Sequence, residues 1–198
     1  MKKKMLGVFV SLLALAILAA PVYAGPPTKG TYTQATVDHS IDPGEEFQTG
    51  DVLHTMGGIS EDYEYGGPLG NSISSLGVAN GVLNLVSLTG TWVGHGVATY
   101  AAGTVERTLN IKYTGIGGYV YLGPTFTFTL GEVTATVTTG DIFGGILYDF
   151  IAVKHGTGDL AGFTSEGTGT GVAIYVVIVG DPNMVGMTVN LETVSYSW

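Results

Sequence analysis

A stretch near the middle of the chain alternates between apolar and polar side chains. Odd positions from Val105 to Tyr113 are apolar apart from Arg107, and even positions from Thr104 to Lys112 are polar. This period of two predicts a β-strand with one buried face. Arg107 falls on that face, where a charge needs a partner or contact with water.

A second stretch, residues 125–138, changes its apolar parity at Gly131-Glu132. The apolar residues before the change are Phe126, Phe128 and Leu130, and those after it are Val133, Ala135 and Val137. A two-residue β-hairpin puts both sets on one side, with Phe128 opposite Ala135. One bulged strand would also change the parity, but glycine at the first turn position favours the hairpin.

Runs with apolar residues on both parities at 82–88, 146–153 (interrupted by Asp149) and 172–179 fit strands buried on both faces. Residues 91–100 carry small side chains on one face, which suits a sharply bent strand. At the end of the chain the apolar parity changes once more, which predicts a bulge near Glu192 or Thr193.

The succession of short β-segments after residue 24, without helical periodicity, predicts an all-β fold. We expect a single closed antiparallel barrel of about eight strands.

The N-terminus has the three parts of a secretory signal peptide. Lys2 to Lys4 are basic, Met5 to Ala20 are apolar, and Val22-Tyr23-Ala24 resembles a cleavage site. The apolar run is short for a membrane span of about 20 residues, so we expect cleavage and secretion. The predicted division is a signal peptide at 1–24, an N-terminal lead-in with the first strand at 25–50, and the barrel domain at 51–198.

The amino-acid composition counts against several classes of site and partner. The absence of cysteine excludes disulfides and thiolate metal sites. Cleavage of the signal peptide removes three of the seven basic residues and none of the sixteen acidic ones. So acidic a chain is a poor partner for nucleic acid. We also expect no membrane span in the mature chain.

Acidic residues are concentrated between residues 38 and 64. Carboxylates suit calcium, but their spacing fits no known loop motif, and a solvated acidic face is the favoured interpretation. We predict no metal site and no cofactor.

Catalytic motifs are missing from the sequence: it has no G-x-S-x-G, H-E-x-x-H or P-loop pattern. We therefore assign no catalytic residue, and we lean against an enzyme without excluding one. Arg107 and Asp149 each interrupt an apolar face, so they either pair inside the barrel or lie at strand ends or in solvent. His95 is the third polar candidate, although a histidine on an apolar strand is more often hydrogen-bonded core. The candidate ligand-binding residues are Arg107, Asp149, His95, Tyr113, Phe126 and Phe128.

A glycine-rich run, GTGDLAGFTSEGTGTG, begins at Gly156 and precedes an apolar strand. It resembles a segment of small secreted bacterial barrel proteins related to the allene-oxide-cyclase-like barrel superfamily, which includes the plant dirigent proteins. The matching residues are Gly156, Thr157, Gly158, Leu160, Ala161, Gly162, Gly167 and Thr168. Ser165 departs from the pattern, where glycine is usual. The resemblance implies an eight-stranded antiparallel barrel with a central cavity, and no catalytic residue carries over.

The C-terminus, Val194-x-Tyr196-x-Trp198, resembles the closing strand of bacterial outer-membrane barrels. Asn190 and Glu192 count against that alternative, because lipid-facing side chains should be apolar.

Two functional classes remain. The first is a barrel that encloses a small apolar or amphiphilic molecule, such as a lipophilic carboxylate with its head group near Arg107. The second is a structural or cell-surface protein whose barrel core is filled by side chains.

Overall fold

The structure is a computed structural model that describes residues 29–123, 125–130, 133–174 and 187–197. The predicted signal peptide lies outside these residues, as does Trp198. The described residues form eleven β-strands. They are β1 (Lys29–Asp42), β2 (Glu45–Thr49), β3 (Val52–Tyr65), β4 (Ser74–Asn84), β5 (Thr89–Tyr100), β6 (Gly103–Val120), β7 (Phe126–Leu130), β8 (Val133–Val137), β9 (Ile142–Thr157), β10 (Thr164–Ile174) and β11 (Met187–Ser197).

Nine strands form one antiparallel sheet in the order β1-β11-β10-β9-β6-β5-β4-β3-β2. The sheet curls so strongly that residues 35–42 of β1 also pair with residues 59–65 of β3. We refer to this contact as the β1–β3 seam. Residues 52–56 of β3 pair instead with β2, which forms the edge of the sheet. We refer to the concave side as the interior face and to the other side as the outer face.

The predicted all-β class is confirmed. The main sheet is a curled, open half-barrel and not the closed barrel that we expected. The reason lies in β3, whose pairing with β4 is irregular between Thr55 and Gly58. A bulge bends its strand, and here it separates the part of β3 that meets β1 from the part that meets β2.

The hairpin predicted for residues 126–137 is present as β7 and β8. Phe126 pairs with Val137 and Leu130 pairs with Val133, which is the predicted register. The turn residues 131 and 132 lie outside the described residues. The hairpin forms a separate two-stranded sheet. It therefore adds no strand to the wall that carries Tyr113.

Two of the apolar runs are less buried than the sequence predicted. Residues 85–88 form the turn between β4 and β5, where Leu85 and Val86 are exposed. The run at 146–153 is a strand, but its residues alternate: Phe150 is 3% exposed and Ile151 is 46% exposed. Apolar side chains on the outer face of the sheet explain this unbroken pattern. The third run, 172–179, is described only as far as residue 174.

The bulge predicted near Glu192 or Thr193 is absent. β11 pairs with both β1 and β10 in unbroken register from Met187 to Ser197.

Among the described residues, two apolar clusters pack on the interior face. The first contains Leu109, Tyr113, Ile146, Tyr148, Phe150, Ala152 and Ala173. The second contains Ala98, Tyr100, Val105, Leu160 and Phe163. Burial of apolar surface on this scale is the main favourable term in folding. No helix in the described part of the chain is long and apolar enough to cross a membrane.

The glycine-rich segment forms the corner between β9 and β10. Its hydrogen bonds run from the amide of Ala161 to the carbonyl of Gly158 at 3.0 Å, and from that of Phe163 to the carbonyl of Leu160 at 2.9 Å. Leu160 and Phe163 are each 1% exposed and pack into the second cluster. The corner thus closes one end of the interior.

Candidate functional site

Arg107 lies on the interior face of β6 and is only 8% exposed. Its Nη1 donates a hydrogen bond to Oε1 of Glu64 at 3.2 Å, and its Nη2 is paired with Oδ2 of Asp62. Both carboxylates come from β3, so the contacts cross the curled interior. A buried guanidinium requires such partners, because an uncompensated charge in the interior is strongly unfavourable.

Lys154 joins the same group from β9. It is the cross-strand partner of Arg107 and is 2% exposed. Its Nζ lies 2.7 Å from Oε2 of Glu64, and the hydroxyl of Tyr100 in β5 donates to that oxygen too. Glu64 therefore holds together four strands, β3, β5, β6 and β9, through charge-assisted hydrogen bonds, which are stronger than neutral ones.

Asp62 is 1% exposed and is less completely satisfied than Glu64. Its Oδ2 contacts Arg107 and lies 3.5 Å from the hydroxyl of Ser75. Its Oδ1 is buried and receives no hydrogen bond from a donor in the described structure. Asp38 of β1 is the cross-strand partner of Asp62 in the β1–β3 seam.

Burial raises the pKa of Asp38 well above its ordinary value, and the charge and hydrogen bond of Asp62 raise it further. Arg107 and Ser60 act in the opposite direction. Part of the surface of Asp38 remains accessible, although burial is the largest cause of its raised pKa. A carboxyl group with a raised pKa keeps its proton to higher pH. Protonated Asp38 can then donate a hydrogen bond to the Asp62 carboxylate.

We refer to Asp38, Asp62, Glu64, Arg107 and Lys154 as the charge cluster. It sets three carboxyl groups against two cations, and one proton balances the charges. Both cations are bound to carboxylates of the protein itself. The arrangement can therefore hold a proton and fix the strands. It does not present a cation to an incoming ligand.

Asp149 and His95 lie on the outer face and are exposed. Of the alternatives left open for Arg107 and Asp149, the structure excludes a pair inside the sheet, because the register of β6 and β9 places Asp149 opposite Lys112 and on the other side of the sheet. Because the residues on both sides of Asp149 are apolar, the sequence did not indicate which face of the strand carries Asp149. Nδ1 of His95 lies 3.3 Å from the hydroxyl of Thr108.

The aromatic candidates are dispersed. Tyr113 is buried on the interior face, where its ring meets that of Tyr148 edge-on at a centroid distance of 5.7 Å. Phe126 belongs to the separate hairpin, and its ring lies 6.4 Å from that of Tyr121. The side chain of Phe128 is outside the described part of the structure. Of the six predicted residues, Arg107 and Tyr113 are thus the two that the structure places on the interior face.

Sequence reasoning missed most of the charge cluster. Asp62 and Glu64 were assigned to a solvated acidic face, but both are buried. The available signal was their alternation with Tyr63 and Tyr65, which is the pattern of a strand. Lys154 follows the apolar run of β9 at the spacing of Tyr148 and Phe150, which places it on the same face.

A groove of about 290 Å³ lies on the outer face, where β2 to β5 meet. Its walls include Phe47, His54, Met56, Asn80, Val82 and Val93. The four apolar side chains among them keep between 38% and 52% of their surface exposed. The rings of Phe47 and His54 stack across β2 and β3, with centroids 4.6 Å apart and planes inclined by 1°. We refer to this feature as the outer groove.

No group of three or more His, Cys, Asp and Glu side chains in the described part of the chain is arranged to hold a metal ion. Comparison with known proteins gives no relationship: no protein family, curated protein or solved structure matches the chain.

Proposed function

We propose that the protein is an exported binding protein that takes a small, mainly apolar molecule in the outer groove. The observation that carries this proposal is the group of apolar side chains that remain exposed around a concave surface of about 290 Å³. Small-molecule sites are concave and mostly apolar, with a few polar groups that fix orientation. His54 and Asn80 are such groups at this groove.

The charge cluster favours a ligand site on the outer face of the sheet over the interior site that we expected. Arg107 was the expected contact for a carboxylate head group, but Asp62 and Glu64 already engage its guanidinium. Release of Arg107 for a ligand would leave buried Asp62 without its cation and Glu64 with Lys154 alone. The outer groove binds a molecule without that penalty.

Export and the relationship to the allene-oxide-cyclase-like barrels are part of the proposal. The basic, apolar and small-residue segments of residues 1–24 support export. The glycine-rich segment supports the relationship, because it joins two antiparallel strands late in the chain, as the resemblance implies. In this proposal the chain is a half-open version of that architecture.

A structural or cell-surface role is the second candidate, and the packed interior favours it. Tyr148, Lys154 and Phe163 are each at most 2% exposed. In this case the exposed apolar side chains of the outer groove would contact another macromolecule. An outer-membrane barrel has less support, because Glu106, Lys112 and Glu166 are exposed on the outer face, where lipid would require apolar side chains.

Fluorescence titration with a neutral apolar probe, N-phenyl-1-naphthylamine, tests the proposal. Met56→Gln makes a wall of the groove polar at nearly constant volume. Leu76→Gln is the matched control, since Leu76 is 54% exposed, against 52% for Met56, and lies outside the groove. We expect saturable binding to the wild type and the control, and at least a tenfold weaker Kd, about 1.4 kcal/mol, for Met56→Gln. Absence of binding to the wild type, or equal binding by both variants, would contradict the proposal.

A further inference from the structure

Asp38 and Asp62 are directly opposite each other in the β1–β3 seam. Both side chains belong to the charge cluster, and their carboxyl groups are in hydrogen-bonding contact. Two carboxylates in such a position repel each other, because like charges directly opposite on neighbouring strands are destabilising. The contact is favourable only while one of the two groups carries a proton.

The groups that surround Asp38 and Asp62 do not balance a second negative charge on this pair. Arg107 from β6 faces the pair, but it also binds Glu64, which Lys154 from β9 contacts from another side. β3 contributes the hydroxyl of Ser60, and β4 contributes that of Ser75. β5 contributes Tyr100, which binds Glu64. On the other side of β1, the residue of β11 opposite Asp38 is Thr188, which does not titrate.

A buried oxygen of Asp62 without a hydrogen-bond donor gives the proton on Asp38 a structural role. Oδ1 of this carboxylate is buried and receives no hydrogen bond from the described donors. An unmet buried acceptor is unfavourable by about 1–3 kcal/mol. A proton on Asp38 gives the Asp62 carboxylate a further donor, and its loss to solvent removes that donor and adds a charge.

We propose that the β1–β3 seam is a proton-operated latch, which is closed while Asp38 and Asp62 share one proton and loosened when that proton is lost to solvent. The seam is suited to this role because its pairing is partial. It is restricted to residues 35–42 of β1 and is irregular between Ser40 and Asp42. The raised pKa of Asp38 agrees with this assignment.

Hydrogen–deuterium exchange tests the latch, with rates converted to protection factors so that the intrinsic effect of pH is removed. In the wild type, protection of the seam amides at 35–42 and 59–65 should fall at least about tenfold, a change of about 1.4 kcal/mol, as pH rises from 4 to 9. Amides of β5 and β6 should change far less. Asp38→Asn should abolish the fall at the seam, whereas Asp149→Asn, at an exposed acid, should leave it intact.

Infrared spectroscopy supplies a second readout on the same variants. The carbonyl band of a protonated carboxyl group should persist in the wild type above the pH at which exposed aspartates ionise, and it should be missing in Asp38→Asn. Seam protection that is independent of pH in the wild type, or a protonated band that survives Asp38→Asn, would overturn the proposal. If Asp38→Asn does not fold, Asp38→Ser provides the same comparison.

Discussion

Nζ of Lys154 lies 2.7 Å from Oε2 of Glu64, a residue that precedes it by 90 positions in the chain. This contact joins β9 to β3 across the interior of the curled sheet. Arg107 reaches the same carboxylate from β6, and Tyr100 reaches it from β5. The centre of the interior is therefore organised by charge, with apolar clusters around it.

Replacement of Arg107 by leucine should strongly destabilise the protein. Asp62 and Glu64 would lose a buried cation, and removal of one partner from a buried ion pair is unfavourable by about 3–5 kcal/mol. Lys112→Leu is the control, because Lys112 is exposed on the same strand and should change the free energy of unfolding by no more than about 0.5 kcal/mol. Urea unfolding measures both variants. Similar small effects would show that Arg107 is not held by buried partners.

Double-mutant cycles should separate the observed pairing of Arg107 from the alternative pairing with Asp149 that the sequence left open. Arg107→Leu and Asp149→Leu should have additive effects on unfolding free energy, because Asp149 lies on the outer face. Arg107→Leu and Asp62→Leu should be coupled by about 0.5–3 kcal/mol, since the two side chains are in contact. Coupling with Asp149 and none with Asp62 would contradict the observed arrangement.

Stability should decrease as pH rises through the pKa of Asp38 in the folded protein. The unfolded chain releases this proton near pH 4, whereas the folded protein retains it to higher pH because burial and Asp62 raise the pKa of Asp38. Above pH 4 the folded state therefore binds more protons, and its stability falls with rising pH until Asp38 also ionises. The difference in unfolding free energy between wild type and Asp38→Asn, measured from pH 4 to 9, should shift in favour of the variant. A constant difference would refute this.

The corner between β9 and β10 should tolerate no side chain at Gly156. A Cβ there would overlap the backbone oxygen of Leu160, whereas a Cβ at Gly144 would meet no atom closer than 3.8 Å. Gly156→Ala should therefore lower the free energy of unfolding by about 1–3 kcal/mol, and Gly144→Ala should have a much smaller effect. Thermal melts of the two variants make the comparison, and equal melting temperatures would exclude a close approach at the corner.

The amino-acid sequence correctly predicted the features that depend on residues close together in the chain. The alternation around Arg107 gave its strand and its face, and the parity change at Gly131 gave the hairpin and its register. Both follow from local geometry, because side chains on a strand alternate between faces. The glycine-rich run likewise marked a corner.

The features that sequence did not predict depend on long-range register. The partners of Arg107 are more than 40 residues away, and no local pattern indicates which acidic residues meet it across a curled sheet. The face of Asp149 was left open because apolar residues occur on both faces of β9. The half-open shape of the sheet depends on the bulge in β3. On one side of that bulge the edge of β3 pairs with β1, and on the other side it pairs with β2.

NMR mapping of the neutral apolar probe tests the central claim most directly. The protein is titrated with N-phenyl-1-naphthylamine while its backbone amide shifts are recorded. Binding in the outer groove should shift the amides of Phe47, His54, Val82 and Val93 and leave those of the charge cluster unchanged. Shifts centred on Arg107 and Tyr113, or no saturable shifts at all, would contradict the account.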